Sequence, residues 1–150
     1  MGYTISDALP SDLEGVERIE RECFSMPWTR AQLEGQLTDE NHIFIVAKDE
    51  DGRVLGYVGL MSVLDEGYIT NVAVDADHRR QGIADDLLAE LEKRGRENAL
   101  SFLTLEVREH NEAAKALYEK NGYITVGLRK NYYEMPRENA ILMTKFFKEA

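Results

Sequence analysis

Leu13, Val16, Ile19 and Cys23 recur at the spacing of one helical stripe, and this pattern predicts a helix over Pro10–Phe24. Thr29 offers a capping hydroxyl for a second, shorter helix that runs to about Leu37. Before them, Tyr3–Ser6 reads as a short strand. After them, Ile43–Lys48 and Val54–Val63 flank Asp49-Glu50-Asp51-Gly52, the composition of a hairpin turn. Tyr68–Val74 is a further strand. Ile83, Leu87, Leu88 and Leu91 then return to helical spacing within a long helix over Gln81–Asn98. Phe102–Arg108 alternates cleanly, with Leu103, Leu105 and Val107 on one face and Thr104, Glu106 and Arg108 on the other. Asn111 caps a helix to Lys120, Asn121-Gly122 ends it, and Tyr123–Arg129 and Ala140–Phe147 close the pattern as strands. The expected architecture is α/β, with a mixed sheet of about seven strands and about four helices, in one domain over residues 1–150.

The junction between Tyr68–Val74 and the long helix has a chemistry of its own. Val72-Ala73-Val74 runs into a polar loop with Arg79 and Arg80, and Gln81-Gly82-Ile83-Ala84 opens the helix. A helix start presents unpaired N–H groups and the positive end of the peptide dipoles, which together suit a phosphate. Gly82 and Ala84 allow close approach to that backbone, and the arginines add positive charge. An ordinary solvated loop would account for the same residues. The segment is neither G-x-x-x-x-G-K-[ST] nor G-x-G-x-x-G, so P-loop and dinucleotide fingerprints are excluded.

Composition narrows the partners. Hydrophobic residues make up 43% and charged residues 31%, the balance of a soluble globular chain. No apolar run approaches a membrane span, and MGYTISDALP lacks the charged-then-apolar pattern of a secretory signal. Cys23 is the one cysteine, which fits a reducing cytoplasm. A net charge of −10 disfavours nucleic acid and anionic lipid and favours cationic partners. A phosphate ligand then requires a local reversal of sign, which Arg79 and Arg80 provide. His42, His78 and His110 are scattered without metal-ligand spacing, so no metal is expected.

Arg79-Arg80-Gln81-Gly82-Ile83-Ala84 resembles motif A, [QR]-x-x-G-x-[GA], of the GNAT superfamily of acetyl-CoA-dependent N-acetyltransferases. LTLEVREHNEAAKALYEKNGY (Leu103–Tyr123), LRKNYY (Leu128–Tyr133) and CFSMPW (Cys23–Trp28) are similar to segments of its RimI-type ribosomal-protein alanine N-acetyltransferases. The resemblance spans nearly the whole chain. It implies acetyl-CoA as co-substrate and a protein N-terminus as acceptor, the N-terminal alanine of ribosomal small-subunit protein eighteen in that family. It places the cofactor on Val72, Ala73, Val74, Arg79, Arg80, Gln81, Gly82, Ile83, Ala84, Asp85 and Asn111. It makes Glu106 the general base and Tyr118 the general acid.

The residues by themselves leave other readings open. Glu106 reads equally as a solvent-facing or salt-bridged strand residue, with Arg108 as partner. Tyr118 shares a helical face with Asn111 about 10.5 Å away along the axis, and reads also as a core aromatic with its hydroxyl at the rim. Asn111 is explained as well by capping. Trp28, Tyr132 and Tyr133 are candidate walls for the acceptor, although a proline-flanked Trp is often a core plug. Cys23 lies on an apolar stripe beside Glu20 and Glu22 and reads as structural. Asp85 and Asp86 depart from the family, where basic or hydroxyl residues are common, and Asp85 is expected near the phosphates, weakening cofactor affinity. Rival readings are a lysine or small-amine acetyltransferase and a non-catalytic acyl-CoA-binding module.

Overall fold

The computed structural model describes residues 2–147. Seven strands form one sheet in the order β1-β2-β3-β4-β5-β7-β6, with β1 Tyr3–Asp7, β2 His42–Asp49, β3 Val54–Val63, β4 Glu66–Val74, β5 Phe102–Arg108, β6 Ile124–Glu134 and β7 Arg137–Phe146. All neighbours are antiparallel except β4 and β5. Helices α1 (Leu13–Cys23) and α2 (Arg30–Thr38) cover one face, and α3 (Ile83–Glu97) with α4 (Glu112–Lys120) cover the other. The mixed seven-stranded sheet with four helices is the expected architecture. No described helix is long and apolar enough to cross a membrane.

Because both faces are covered, β2 and β3 carry continuous buried runs, whereas β4 and β5, which border the slot, keep an alternating pattern. On β2, Phe44 and Val46 join Leu13, Val16, Ile19 and Leu33 in the α1/α2 core, while Ile45 and Ala47 join Ile83, Leu87, Leu88 and Leu91 in the α3/α4 core. Three boundaries differ from expectation. The first helix starts at Leu13, because Pro10–Asp12 is a 3-10 turn in which the Asp12 carboxylate accepts the Leu9 N–H at 2.8 Å. α3 starts at Ile83, because Gly82 is left-handed (φ 84). β6 continues past Arg129 to Glu134, since its partner β7 begins at Arg137.

Two irregularities in β4 position the site. Gly59 pairs with Asn71 and Leu60 with Ile69, so Thr70 is an extra residue and β4 carries a bulge. An inserted residue reverses which side chains face which core. Before the bulge Ile69 lies in the α3/α4 core; beyond it Val72 and Val74 face that side and Ala73 joins the α1/α2 core. The second irregularity is divergence: β4 and β5 pair only at Glu66–Phe102, Gly67–Leu103 and Tyr68–Thr104. Beyond those pairs the two strands separate and a slot opens through the sheet.

Gly59 makes room for the bulge. A Cβ there would lie 2.5 Å from Gln36 Oε1, 2.6 Å from Asn71 Oδ1 and 2.6 Å from Thr70 Oγ1. Gln36 and Asn71 are buried and all three side chains are tied by hydrogen bonds, so none retreats freely. Gly59→Ala is expected to destabilise the protein by about 1–3 kcal/mol, the scale of core overpacking. Chemical denaturation checks it; an unchanged midpoint would show that the bulge relaxes at no cost.

Candidate active site

A cavity of about 530 Å³ occupies the slot. One side is lined by Ile69, Val72, Leu105, Val107, Ala114 and Tyr118, which belong to or pack on the α3/α4 core. The other side holds Glu20, Trp28, Asn71, Glu106, Tyr132 and Tyr133. Alternation along β5 places Glu106 on the face opposite Leu105 and Val107, while Tyr118 rises from α4 behind them. The cavity therefore joins two groups that stand on opposite faces of one sheet.

Tyr118 is buried, and its ring meets Tyr123 edge-on at 5.7 Å. Among the described residues nothing hydrogen-bonds its hydroxyl. Burial, then the neighbouring Tyr133, pushes its pKa well above the ordinary phenol range, so the hydroxyl stays protonated. Such a group can give a proton to a base formed beside it. Glu106 is half-buried, and its partner is Arg129 at 3.5 Å instead of Arg108. Arg108 is committed to the β6–β7 turn: it donates to the carbonyls of Pro136 (2.9 Å) and Met135 (3.1 Å), pairs with Glu138, and lies 4.2 Å over the Tyr133 ring.

The expected acceptor walls gather on this side. Trp28 serves both readings, half-buried against the α1/α2 core and lining the cavity. Tyr132 and Tyr133 both reach the cavity, because β6 has extra residues between Arg129 and Tyr133 and Asn131 is left-handed (φ 54). Their rings pack perpendicular at 5.1 Å, and burial raises Tyr133 to about 12. Phe24 and Met26 also line the cavity and are exposed, at 38% and 57%. The Ser25 hydroxyl donates to the Met135 carbonyl and ties the α1–α2 loop to the β6–β7 turn.

At the far end of β4 the chain builds an anion cradle. Arg80 (φ 65) and Gly82 (φ 84) are both left-handed, a turn geometry that gathers successive N–H groups into a concavity. It continues into the open N-terminus of α3, where no side chain caps Gly82 and a Cβ on that glycine would meet nothing within 4 Å. A diphosphate fits this backbone and this space. Ile83 is a core residue, so only its backbone is available; Ala84 is half-buried and Gln81 exposed. Arg80 is exposed, but Arg79 folds back, donating to Val74 O at 3.3 Å and lying 3.2 Å from Cys23 Sγ. Asp85 does not stand free: Lys120 (3.0 Å) and Asn121 (2.9 Å) hold its carboxylate against α4. Burial raises its pKa, but hydrogen bonds from Asn121 and Lys120 outweigh that and leave it below the ordinary carboxylate range. The expected repulsion of phosphate by Asp85 is thereby reduced. Asn111 lines the cavity, and its side-chain oxygen accepts the Ala114 N–H at 3.1 Å as a helix cap.

Cys23 is half-buried and lines the cavity, instead of being sealed in the core. Burial pushes its thiol up despite Arg79, which makes it a poor nucleophile. Sequence reasoning missed Glu20, Thr70 and Asn71. Glu20 and Asn71 are buried, and Asn71 Nδ2 donates to Glu20 at 3.1 Å. One signal was available, since Glu20 is an acid four residues after Val16 on the apolar stripe of α1.

A cavity that divides a sheet beside a phosphate cradle belongs to a known class: the chain is a member of the acetyltransferase (GNAT) family, whose pattern matches residues 13–123. It is an acetyltransferase. It is 36% identical over 146 residues to the ribosomal protein bS18-alanine N-acetyltransferase of Escherichia coli K12, covering 93% of this chain and 95% of that one. The crystal structure of the Escherichia coli ribosomal-protein-S18-alanine N-acetyltransferase superposes with a TM-score of 0.90 at 32% identity, covering 99% of this chain and 96% of that one. Ard1 from Thermoplasma volcanium gives a TM-score of 0.90 at 28% identity, covering 99% of this chain and all of that one (100%).

The cradle hangs from Asp75, a carboxylate only 1% exposed. Its backbone N–H donates to Leu55 O at 2.7 Å, and its side chain accepts from the Asp77 N–H, Arg18 and Arg53. Burial pushes its pKa up, but the Asp77 N–H and the two guanidinium groups outweigh that and hold it at about 2. An aspartate lowered from its unfolded value stabilises the fold above that value and loses the contribution as pH falls toward the folded one. The window is roughly pH 4 to 2 and the contribution about 2 kcal/mol. Asp75→Asn should unfold more readily at neutral pH, and its deficit should shrink below about pH 3. Urea titrations at both pH values check this; a constant deficit would remove the charge from the explanation.

Proposed function

We propose that this enzyme acetylates the α-amine of a basic protein N-terminus, with the N-terminal alanine of ribosomal protein bS18 as its natural acceptor, in the cytoplasm. Both substrates bind together and transfer is direct. The observation that carries this is the slot between β4 and β5, which brings Glu106 from one face and Tyr118 from the other into one cavity. The bS18-specific name of the Escherichia coli relative supports the acceptor.

Acetyl-CoA supplies the acetyl group as a thioester. The chain's own groups divide the remaining work. Past Tyr68, β4 pairs with no strand on its β5 side among the described residues. The backbone edge of Val72, Ala73 and Val74, apart from the Val74 carbonyl engaged by Arg79 and Cys23, can therefore hold an extended pantetheine arm like an added strand. An N–H on that edge polarises the thioester oxygen. The Arg80–Gly82 concavity and the first N–H groups of α3 hold the diphosphate, with Arg80 beside them. On the acceptor face Glu106 takes the proton of the incoming ammonium, directly or through one water. The N–C bond forms as the C–S bond breaks, Tyr118 gives its proton to the sulfur, and the second proton lost by the nitrogen passes through water in the cavity to restore the phenol. An α-ammonium (about 7.7–8.0) yields its proton far more readily than a lysine (about 10.4), which suits a carboxylate base.

The acceptor face is also acidic. Glu134 lines the cavity, and the Tyr68 hydroxyl donates to Glu66 and feels the charge of Glu106. Asp65, at the turn before β4, accepts a hydrogen bond from the Ser101 hydroxyl. A basic peptide beginning with alanine should be acetylated well, and efficiency should fall with salt as attraction across the Debye length of about 10 Å at 0.1 M is screened. Blocking the peptide's N-terminus while leaving its lysines free should abolish the reaction. Equal rates for the blocked and free peptides would make this a lysine acetyltransferase.

Two substitutions separate the chemical roles. Glu106→Gln should leave acetyl-CoA affinity intact and lower the transfer rate by roughly 10²–10⁴-fold. Tyr118→Phe should keep fold and cofactor affinity and slow transfer from acetyl-CoA, yet matter little with an acetyl donor whose leaving group needs no proton. Stopped-flow or endpoint thiol assays read both. Unchanged turnover in Glu106→Gln removes the base, and equal losses with both donors reduce Tyr118 to a positional role.

A further inference from the structure

Glu20 is fully buried (0% exposed) yet borders the cavity, and among the described residues no cation pairs with it. Its two oxygens instead gather three donors from three elements. Oε1 accepts the backbone N–H of Trp28 at 2.8 Å, and Oε2 accepts the Tyr57 hydroxyl and, at 3.1 Å, Asn71 Nδ2. Burial and the Glu20 charge keep the Tyr57 hydroxyl strongly protonated, as a committed donor. Asn71 in turn accepts from Thr70 Oγ1 at 2.9 Å, so the network ends in the β4 bulge. Trp28 stands just before α2, at the end of the loop that carries Phe24, Ser25 and Met26 over the cavity.

We propose that Glu20 is a positioning residue for the acceptor side, fixing the distance between the α1–α2 loop and the bulged segment of β4. A carboxylate is the one small group that can accept from a backbone N–H, a phenol and an amide together, because each oxygen has two acceptor sites. Without it, three buried donors compete for water, and each wall of the cavity relaxes separately. The cradle at Arg80–Gly82 is reached through other contacts, those of Asp75 and Gly82, so the cofactor side is spared.

Glu20→Leu removes every acceptor at similar volume; Glu20→Gln retains one for the Trp28 N–H, and reversal of the Asn71 amide satisfies its NH2 group. Acceptor-peptide KM is expected to rise about tenfold in Glu20→Leu and no more than about threefold in Glu20→Gln. Acetyl-CoA Kd, by calorimetry, is expected to stay within about twofold in both. A merely structural role would lower Tm without separating acceptor KM from acetyl-CoA Kd. Unchanged acceptor KM in a folded Glu20→Leu protein, or equal weakening of both substrates, overturns the proposal. Should Glu20→Leu fail to fold, Tyr57→Phe withdraws one donor and leaves the ring in the core. Its acceptor KM should then rise about threefold, and no change overturns the proposal. The inference rests on the acceptor-site reading above, but fails separately from it: the peptide-blocking assay tests wild type, whereas these constants compare variants using whichever acceptor wild type acetylates.

Discussion

Separation of β4 from β5 after Tyr68 and Thr104 is the constraint on which the site depends. A sheet interior normally satisfies its backbone by pairing, and unpaired groups within a fold are costly. Here both strands run on for several residues without each other, and the opened edge becomes a place inside the sheet where an extended ligand can add as a strand. The bulge at Thr70 works with this separation. It turns Val72 and Val74 toward the α3/α4 core and leaves Thr70 and Asn71 over Gly59, where only a residue without a Cβ leaves room. Gly59, the bulge and the slot are thus one structural decision.

Electrostatics divides the molecule along the same line. The proposed function asks a chain of net charge −10 to bind a polyanion at one end of β4 and a cation on the other side of the sheet. The cradle proposed for the cofactor offers backbone N–H groups and left-handed turns, whose partial charges remain fixed whatever the surface charge. Nearby carboxylates are consumed locally, Asp75 by Arg18 and Arg53 and Asp85 by Lys120. On the acceptor side Glu134 borders the cavity and Arg108 is spent on the β6–β7 turn. The cation of that turn shapes the wall, and negative potential is left to meet the incoming amine.

The periodic elements were legible because they depend on local spacing: the α1 stripe, the alternation of β5 and the cap at Asn111 all stand as the sequence implies. Motif A could be read for the same reason, since Gly82 at a helix start has one backbone use. Long-range pairing could not be read. Thr70 and Asn71 look like ordinary alternating strand residues, and only their register against Gly59 and Leu60 reveals a bulge. Glu106 was visible on the polar face of β5, but its pairing with Arg129 depends on how far β6 extends and where it twists. Adjacent residues of a regular strand point to opposite faces, yet the irregularity at Asn131 brings both Tyr132 and Tyr133 to the cavity.

Placing the two proton-handling groups on opposite faces has a chemical consequence. If the carboxylate that receives a proton touched the phenol that gives one, the proton could pass between them without any acyl transfer. Among the described residues none hydrogen-bonds the Tyr118 hydroxyl, and β5 itself stands between its approach and that of Glu106. The two groups meet across the cavity proposed to hold the substrates. Burial raises the Tyr118 pKa and so weakens it as an acid; in the proposed mechanism it keeps its proton from bulk water and yields it to the departing thiolate. Coupling between the faces is therefore supplied by the forming and breaking bonds, and the open slot in the sheet is the geometry that permits it.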